Sequence, residues 1–234
     1  EGNDMLFDAG PDSSILGCLG RHMPFWDKNI ELAFATHPDA DHIGGFKYVL
    51  DSYSIGKYNT SSVLKETGLF KLISQKLNDK KISVHYLKQG DTYRIGQVSV
   101  NNYWPTQEFL EVGDSDTNRY SLVQMLNFYK FNILFTGDAD FDIVDGIIKS
   151  TDKEGIDLEV LKLPHHGSKT GVSTLTFENV RPDISIISAG ENNRYGHPHA
   201  QVLAELQKYS LKYVETKNGD IKITSDGKSF RVDQ

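Results

Sequence analysis

The sequence predicts an α/β fold in which two sheets pack between layers of helix, with a functional site along one sheet edge. Three observations lead there. Apolar runs of strand type, among them Leu32 to Ala35, residues 131–135, Glu159 to Leu163 and Ile184 to Ser188, each run into a loop carrying His or Asp. Segments with helical apolar spacing lie between them. No internal repeat, low-complexity tract or Pro/Gly/Ser linker interrupts the 234 residues, so we read 1–234 as one domain.

The elements follow in order. Met5-Leu6-Phe7 reads as a strand ending in Asp8-Ala9-Gly10-Pro11, and residues 13–21 as a helix capped by Asp12 or Ser13. Leu32 to Ala35 is a buried strand, and Phe46, Val49 and Leu50 place a short helix after it. An amphipathic helix is expected over residues 62–78, with Val63, Leu64, Leu69, Phe70, Leu72, Ile73 and Leu77 as its apolar face. His85 to Leu87, Tyr93 to Ile95 and Val98 to Val100 are short strands separated by Gly90-Asp91 and Gly96. Residues 120–126 and 131–135 read as an antiparallel pair joined by Asn127 to Lys130. A helix over 140–150, the strand Glu159 to Leu163, a helix near 173–180, the strand Ile184 to Ser188 and a helix from about 199 to 209 come next. A final hairpin is expected around Asn218-Gly219.

Composition sets limits. With 38% hydrophobic and 24% charged residues the chain reads as an ordinary globular one that can bury a sizeable core. Cys18 stands alone, so no internal disulfide can form, and we read it as a small apolar residue of a helix. No apolar run reaches the ~20 residues that span a bilayer. The net charge of -7 argues against a broad basic face for duplex DNA. It leaves a nucleic-acid substrate open, because bound cations can hold phosphate in place of Lys and Arg. Glu1 is not an initiator Met, and Leu6-Phe7-Asp8 reads like the end of a strand already under way, so we expect a piece of a longer polypeptide.

The densest chemistry lies in Thr36-His37-Pro38-Asp39-Ala40-Asp41-His42-Ile43-Gly44-Gly45. His37, Asp39, Asp41 and His42 are four potential metal ligands within six residues; imidazole suits zinc, manganese or iron, and carboxylates extend the range to harder ions. On an extended backbone residues 37, 39 and 41 point one way and His42 the other, a geometry able to feed two adjacent metals. Gly44-Gly45 is expected to let the backbone turn tightly. Phe135-Thr136-Gly137-Asp138 places at a strand end a carboxylate able to bridge two cations. Leu161-Lys162-Leu163-Pro164-His165-His166-Gly167-Ser168 brings two histidines that point apart, one for metal and one for substrate. We assign His166 as ligand and His165 as proton donor or substrate contact, with the reverse open on spacing alone. His197, after the strand Ile184 to Ser188, sits where a ligand completing the second metal is needed; His199 reads as a cap or surface residue, and His22 and His85 as structural or solvated. Asp8 is placed to accept a hydrogen bond from a metal-bound histidine. Asn118 and Ser121 read as a polar turn capping the next strand.

Assembled, these motifs resemble the metallo-β-lactamase superfamily, whose His-x-His-x-Asp-His run stands here as His37-Pro-Asp39-Ala-Asp41-His42. Within it the chain is most similar to the hydrolase domain of ComEC-type competence (DNA-uptake) proteins, through His-Pro-Asp-Ala-Asp-His-Ile-Gly-Gly, Asn118 to Val123, Thr-Gly-Asp, Leu-Pro-His-His-Gly-Ser and Asn-Arg-Tyr-Gly-His-Pro-His. The resemblance runs from Asp8 to roughly Leu206. It implies a four-layer αββα sandwich with two divalent metal ions, zinc or manganese. One ion would take His37, Asp39 and His166, the other Asp41, His42 and His197, with Asp138 bridging. His166 is assigned to the first set because no His stands near Asn118, where many members supply one. A water shared by the ions would be the nucleophile, Asp41 and His165 belonging to the catalytic machinery, while Ser168, Lys169 and Arg194 would meet substrate. The implied activity is hydrolysis of a phosphodiester, foremost single-stranded DNA, by a domain normally tethered to transmembrane helices and facing outward. Lys80, Lys81 and Arg119 add only scattered positive charge for such a substrate. A hydrolase of a small phosphodiester, lactone or β-lactam is the first alternative, and a non-catalytic metal- or nucleic-acid-binding accessory domain the second.

Overall fold

The computed structural model describes residues 2–63, 65–151, 157–191, 193–209 and 211–234; Leu64 lies outside them. The first sheet is parallel and runs β1 (Met5–Phe7), β2 (Asn29–Ala35), β3 (Ser54–Thr60), β4 (Ser83–Tyr86). The second has seven strands: β5 (Thr92–Ile95), β6 (Val98–Trp104), β7 (Val123–Phe128), β8 (Phe131–Phe135), β9 (Val160–Lys162), β10 (Ile184–Ile187) and β11 (Tyr213–Glu215). They lie in sequence order, antiparallel from β5 to β8 and parallel from β8 to β11. β12 (Lys222–Ser225) and β13 (Phe230–Asp233) form a separate antiparallel pair.

Burial on both faces of β2 explains why its residues Leu32 to Ala35 are continuously apolar rather than alternating. Ala33 and Ala35 pack outward against α1 (Ser14–His22), α2 (Ala40–Ile43), α3 (Phe46–Ser52) and α4 (Gly68–Asp79), through Ile15, Ile43, Phe46, Val49, Leu50, Ile73 and Leu77. Leu32 and Phe34 pack inward, against Val100 and Leu122 of the second sheet's side. The outer face of that second sheet meets α6 (Phe141–Thr151), α7 (Thr174–Asn179) and α8 (Ala200–Lys208), with Val123, Leu134 and Leu161 against Val144, Phe177 and Leu206. The order helix–sheet–sheet–helix is the expected αββα sandwich. The remaining helix, α5 (Gln107–Val112), holds Phe109 between Trp104 and Tyr120.

One aromatic stack joins the sheets directly beneath the site. Phe7 lies 4.7 Å from Phe34 and 4.2 Å from Phe135, both stacked. Phe7 and Phe135 end β1 and β8 and Phe34 is the last but one residue of β2, and the chain continues from them into Asp8, Asp138 and His37. The rings therefore set the spacing of the three loops.

Four expectations need correction. The metal loop is extended only as far as Asp39; Ala40–Ile43 is a helical turn, so Asp41 faces outward and His42 is driven inside. Gly44 and Gly45 hold ordinary helical angles (φ -58° and -69°), so a tight turn is not what demands glycine. A Cβ on them would lie 2.1 Å from the Pro11 carbonyl oxygen and 2.0 Å from that of Ala9. The helix expected from residue 62 begins at Gly68 behind the Thr67 cap, whose hydroxyl accepts from the Phe70 amide, and Leu72 is exposed. The final hairpin turns at Asp226-Gly227, where the Asp226 carboxylate accepts from the Lys228 and Ser229 amides. Asn218-Gly219 instead leaves β11, which pairs parallel with β10. β3 was not legible at all: Gly56 and Lys57 interrupt its apolar pattern, yet it is central in its sheet.

Candidate metal centre

Four side chains converge where β1, β2, β8 and β9 end. His42 Nε2 lies 3.2 Å from His166 Nε2 and 3.1 Å from Asp138 Oδ1. His166 Nε2 lies 3.3 Å from Asp138 Oδ2 and 3.6 Å from Asp41 Oδ2. One ligand atom from each of these four residues falls within 4.8 Å of the others.

The imidazoles are oriented from behind. His42 Nδ1 donates to Asp8 Oδ2 at 2.7 Å, and His166 Nδ1 donates to the Ser188 carbonyl oxygen, which can only accept. Each contact fixes the Nδ1–H tautomer and turns the Nε2 lone pair toward the cluster, the arrangement that prepares histidine for a cation. Asp8 itself has left-handed backbone (φ 56°), held by its amide on the Phe34 carbonyl and by the Thr36 amide and hydroxyl on its carboxylate. The sequence placed Asp8 next to a metal-ligand histidine, and the structure puts it on His42.

His37 is fully buried beside this group. Thr36 already donates its hydroxyl to Asp8, so at 3.0 Å it accepts from His37 Nδ1, which leaves the His37 Nε2 lone pair without a partner. Asp138 Oδ1 is likewise buried, with the His42 ring at 3.1 Å as its contact. A buried acceptor left unpaired, as His37 Nε2 is, is costly unless something positive meets it, and this donor set of imidazole and carboxylate fits a divalent metal. Ser121, read from sequence as a cap, is fully buried in the site: its hydroxyl accepts from the Asp138 amide and lies 3.2 Å from His37 Nδ1. Gly137 (φ 51°) allows that approach, since a Cβ would stand 2.9 Å from Ser121 Cβ and 3.0 Å from Thr36 Cβ.

The other candidates fall into place around it. Asp39 accepts from Lys65 Nζ and Thr117 Oγ1, both at 2.7 Å, and lies 3.9 Å from His37 Nε2. Lys65 escaped the sequence reading because it fell inside an expected helix; on a loop it pairs with Asp39 at the site. His165 and His166 both have left-handed backbone (φ 48° and 56°), a conformation costing roughly 1–3 kcal/mol for each non-glycine residue. That backbone splays the two rings: His165 Nε2 is 3.7 Å from Asp138 and its Nδ1 3.3 Å from Thr170 Oγ1. His166, assigned from sequence to the first ion's set, is therefore grouped with Asp41 and His42. His197 does not join the four; its ring centroid is 5.6 Å from that of His165 and 6.2 Å from that of His166. His199 caps the chain locally, its Nδ1 accepting from the Lys169 amide. Ser168 is buried with its hydroxyl 3.0 Å from that of Thr170, Lys169 is exposed, and Arg194 lies over Tyr195. Asn192, in the same loop, is outside the described residues. Arg119 spends its charge on Asp114, Asp140 and Asp142.

Charge in the cluster is strongly biased. Burial opposes a proton on His42, but the Asp8 and Asp138 carboxylates outweigh it and raise its pKa to about 10. Burial opposes a proton on His166 too, and hydrogen bonding to Asp138 and Asp41 raises it. The contact with His166 holds Asp41 down to about 2; Asp138 lies well below its usual range because His42 and His166 overcome its burial. Burial, then the His42 charge, lowers His37 to about 4. A cation entering this cluster at pH 7 must therefore displace the His42 proton, while His37 is already neutral. Titration calorimetry in buffers of different ionisation enthalpy should read at least about one proton released per chain, and affinity should fall with falling pH. Binding with no proton release would place the ion elsewhere.

The fold and this edge site define the class: the chain has the metallo-β-lactamase fold, as the motifs implied. It superposes with TM-score 0.54 on the metallo-β-lactamase fold protein YhfI of Bacillus subtilis (11% identity, 90% of this chain, 83% of that one). Zn2+-bound PqqB of Methylobacterium extorquens matches with TM-score 0.55 (10% identity, 90% and 81%). In sequence the chain is similar to competence and recombination proteins. It is 28% identical over 196 residues to ComE operon protein 3 of Bacillus subtilis, covering 83% of this chain and 24% of that protein. It is 25% identical over 201 residues to Recombination protein 2 of Haemophilus influenzae (83% and 22%). The chain thus spans about a quarter of the length of these relatives. No family model matches it. No described helix is long and apolar enough to cross a membrane.

Proposed function

We propose that this chain is a divalent-metal-dependent phosphodiesterase acting on single-stranded DNA. The observation that carries the reading is the convergence of the His42 and His166 Nε2 lone pairs with the Asp41 and Asp138 carboxylates, beside the unpartnered His37 Nε2. Asp41, His42, Asp138 and His166 would hold one ion, and His37 and Asp39, with Asp138 shared, a second. Such ions, zinc or manganese, supply Lewis acidity, which acidifies water and offsets charge on a phosphoryl group.

The chain's own groups do the rest. Asp8, Thr36, Ser121 and the Ser188 carbonyl keep the histidine rings aimed, so little reorganisation is needed when substrate arrives. His165, partly exposed at the mouth and braced by Thr170, is the group we assign to hand a proton to the leaving oxygen. The exposed Lys169 offers positive charge to the flanking phosphates. Similarity to competence and recombination proteins supports DNA as the polymer. One observation favours the small-substrate alternative: Arg119, a candidate for the DNA track, is fully engaged by carboxylates.

Cleavage of end-labelled single-stranded DNA by the full chain with manganese or zinc separates the two. We expect metal-dependent cutting that is lost in Asp41→Ala and His42→Ala. Turnover of bis(p-nitrophenyl) phosphate without DNA cutting would move the assignment to a small phosphodiester. A metal-loaded protein inert toward both would overturn the phosphodiesterase reading.

A further inference from the structure

A second set of metal-ligand side chains is separate from the centre described above and outside the motifs that mark it. Cys18 and His22 stand four residues apart on α1, which places them on one face of the helix. Asp220, 198 residues from His22 in sequence, is brought to that face by the loop following β11. A thiol sulfur, an imidazole nitrogen and a carboxylate oxygen from these three lie within 4.8 Å of one another.

The carboxylate is oriented as a ligand would be. Arg21 grips it with two bonds, Nε to Oδ2 at 2.8 Å and Nη2 to Oδ1 at 3.0 Å, using one lone pair on each oxygen. A further lone pair of Oδ2 faces His22 Nε2 at 3.1 Å. Ion pairs this exposed contribute little to stability, so they alone give little reason for holding the imidazole and carboxylate beside a thiol. Thiolate, imidazole and carboxylate together are donors suited to zinc, with an open fourth position for water.

We infer that Cys18, His22 and Asp220 form a zinc site separate from the Asp41–His42–Asp138–His166 cluster, tying the last turn of α1 to the loop after β11. On binding, the thiol proton and any proton between His22 and Asp220 pass to solvent, so thiolate and carboxylate neutralise the ion while Arg21 keeps its hold on Asp220.

The test uses a property of the sequence: Cys18 is the single cysteine, so any thiolate–metal signal reports this site alone. The metal-free full chain would be titrated with cobalt(II), whose thiolate charge-transfer absorption lies in the near ultraviolet. We expect that band to form, to be lost in Cys18→Ser and His22→Gln, to weaken in Asp220→Asn and to persist in Asp138→Asn. At free zinc ten times the Kd, alkylation of Cys18 should slow roughly tenfold, as the unliganded fraction falls. His22→Gln and Asp220→Asn retain the thiol, so a misfolded Cys18 variant cannot decide the matter. No thiolate band in a folded protein that binds cobalt elsewhere would overturn the proposal. So would a band unchanged in both His22→Gln and Asp220→Asn, which would mark thiol-only binding.

Discussion

Asp138→Asn should strip the centre of its metal and bring metal-dependent cleavage to background in a protein that still folds. The substitution keeps the shape of the side chain and removes its charge. Asp138 is in reach of three imidazoles, at 3.1 Å from His42, 3.3 Å from His166 and 3.7 Å from His165. It is also the residue proposed to be shared by both ions, so its loss weakens two sites together. Changing a group that merely supports a ligand costs about 10–100-fold in metal affinity; removing this one should cost roughly 100-fold or more. Metal content per chain after gel filtration and the single-stranded DNA cleavage rate are the two readouts. Asp8→Asn is the natural comparison, since it touches only the back of His42 and should stay inside the smaller range. Full metal content and unchanged cleavage in Asp138→Asn would remove this cluster from the mechanism.

What could be read from the sequence divides along a physical line. Loops that follow buried strands were legible, because a continuous apolar run marks the strand and the polar residues after it fall at the sheet edge. Hence His37, His42, Asp138 and His166 could be named, and the two sheets between helices inferred. Grouping was harder. The pairing of His166 with Asp41 and His42 depends on two consecutive left-handed histidines and on the helical turn that rotates His42 inward, and neither leaves a periodic signal. Lys65 and Ser121 meet the site through tertiary approach from segments read as a helix and a cap. β3 was missed for the opposite reason: its pattern is broken by Gly56 and Lys57, and burial against β2 and α4 compensates for what local sequence lacks.

Gly45→Ala should destabilise the fold and impair the metal centre together, although no ligand is touched. The new Cβ would lie 2.0 Å from the Ala9 carbonyl oxygen and 2.9 Å from Ile15 Cγ2. Backbone has to move, because the first obstacle is not the tip of a flexible side chain. The segment that must yield is the one bonded to the site: the Ala9 amide donates to the His42 carbonyl, the Gly45 amide to the Gly10 carbonyl, and the neighbouring Asp8 holds the His42 ring. Forcing them apart should cost about 3 kcal/mol or more, the upper end for an overpacked interior. Metal affinity should fall by roughly 10–100-fold through the misplaced Asp8–His42 contact. Gly146→Ala provides the contrast. Gly146 lies inside α6 with nothing within 4 Å of its added methyl, so the same chemical change should stabilise by about 0.5–1 kcal/mol through helix propensity. Denaturant midpoints and metal titrations of the two variants test the argument as a pair. A Gly45→Ala midpoint that rises together with that of Gly146→Ala would overturn the close approach of β1's loop to the metal-bearing turn as the reason for glycine at position 45.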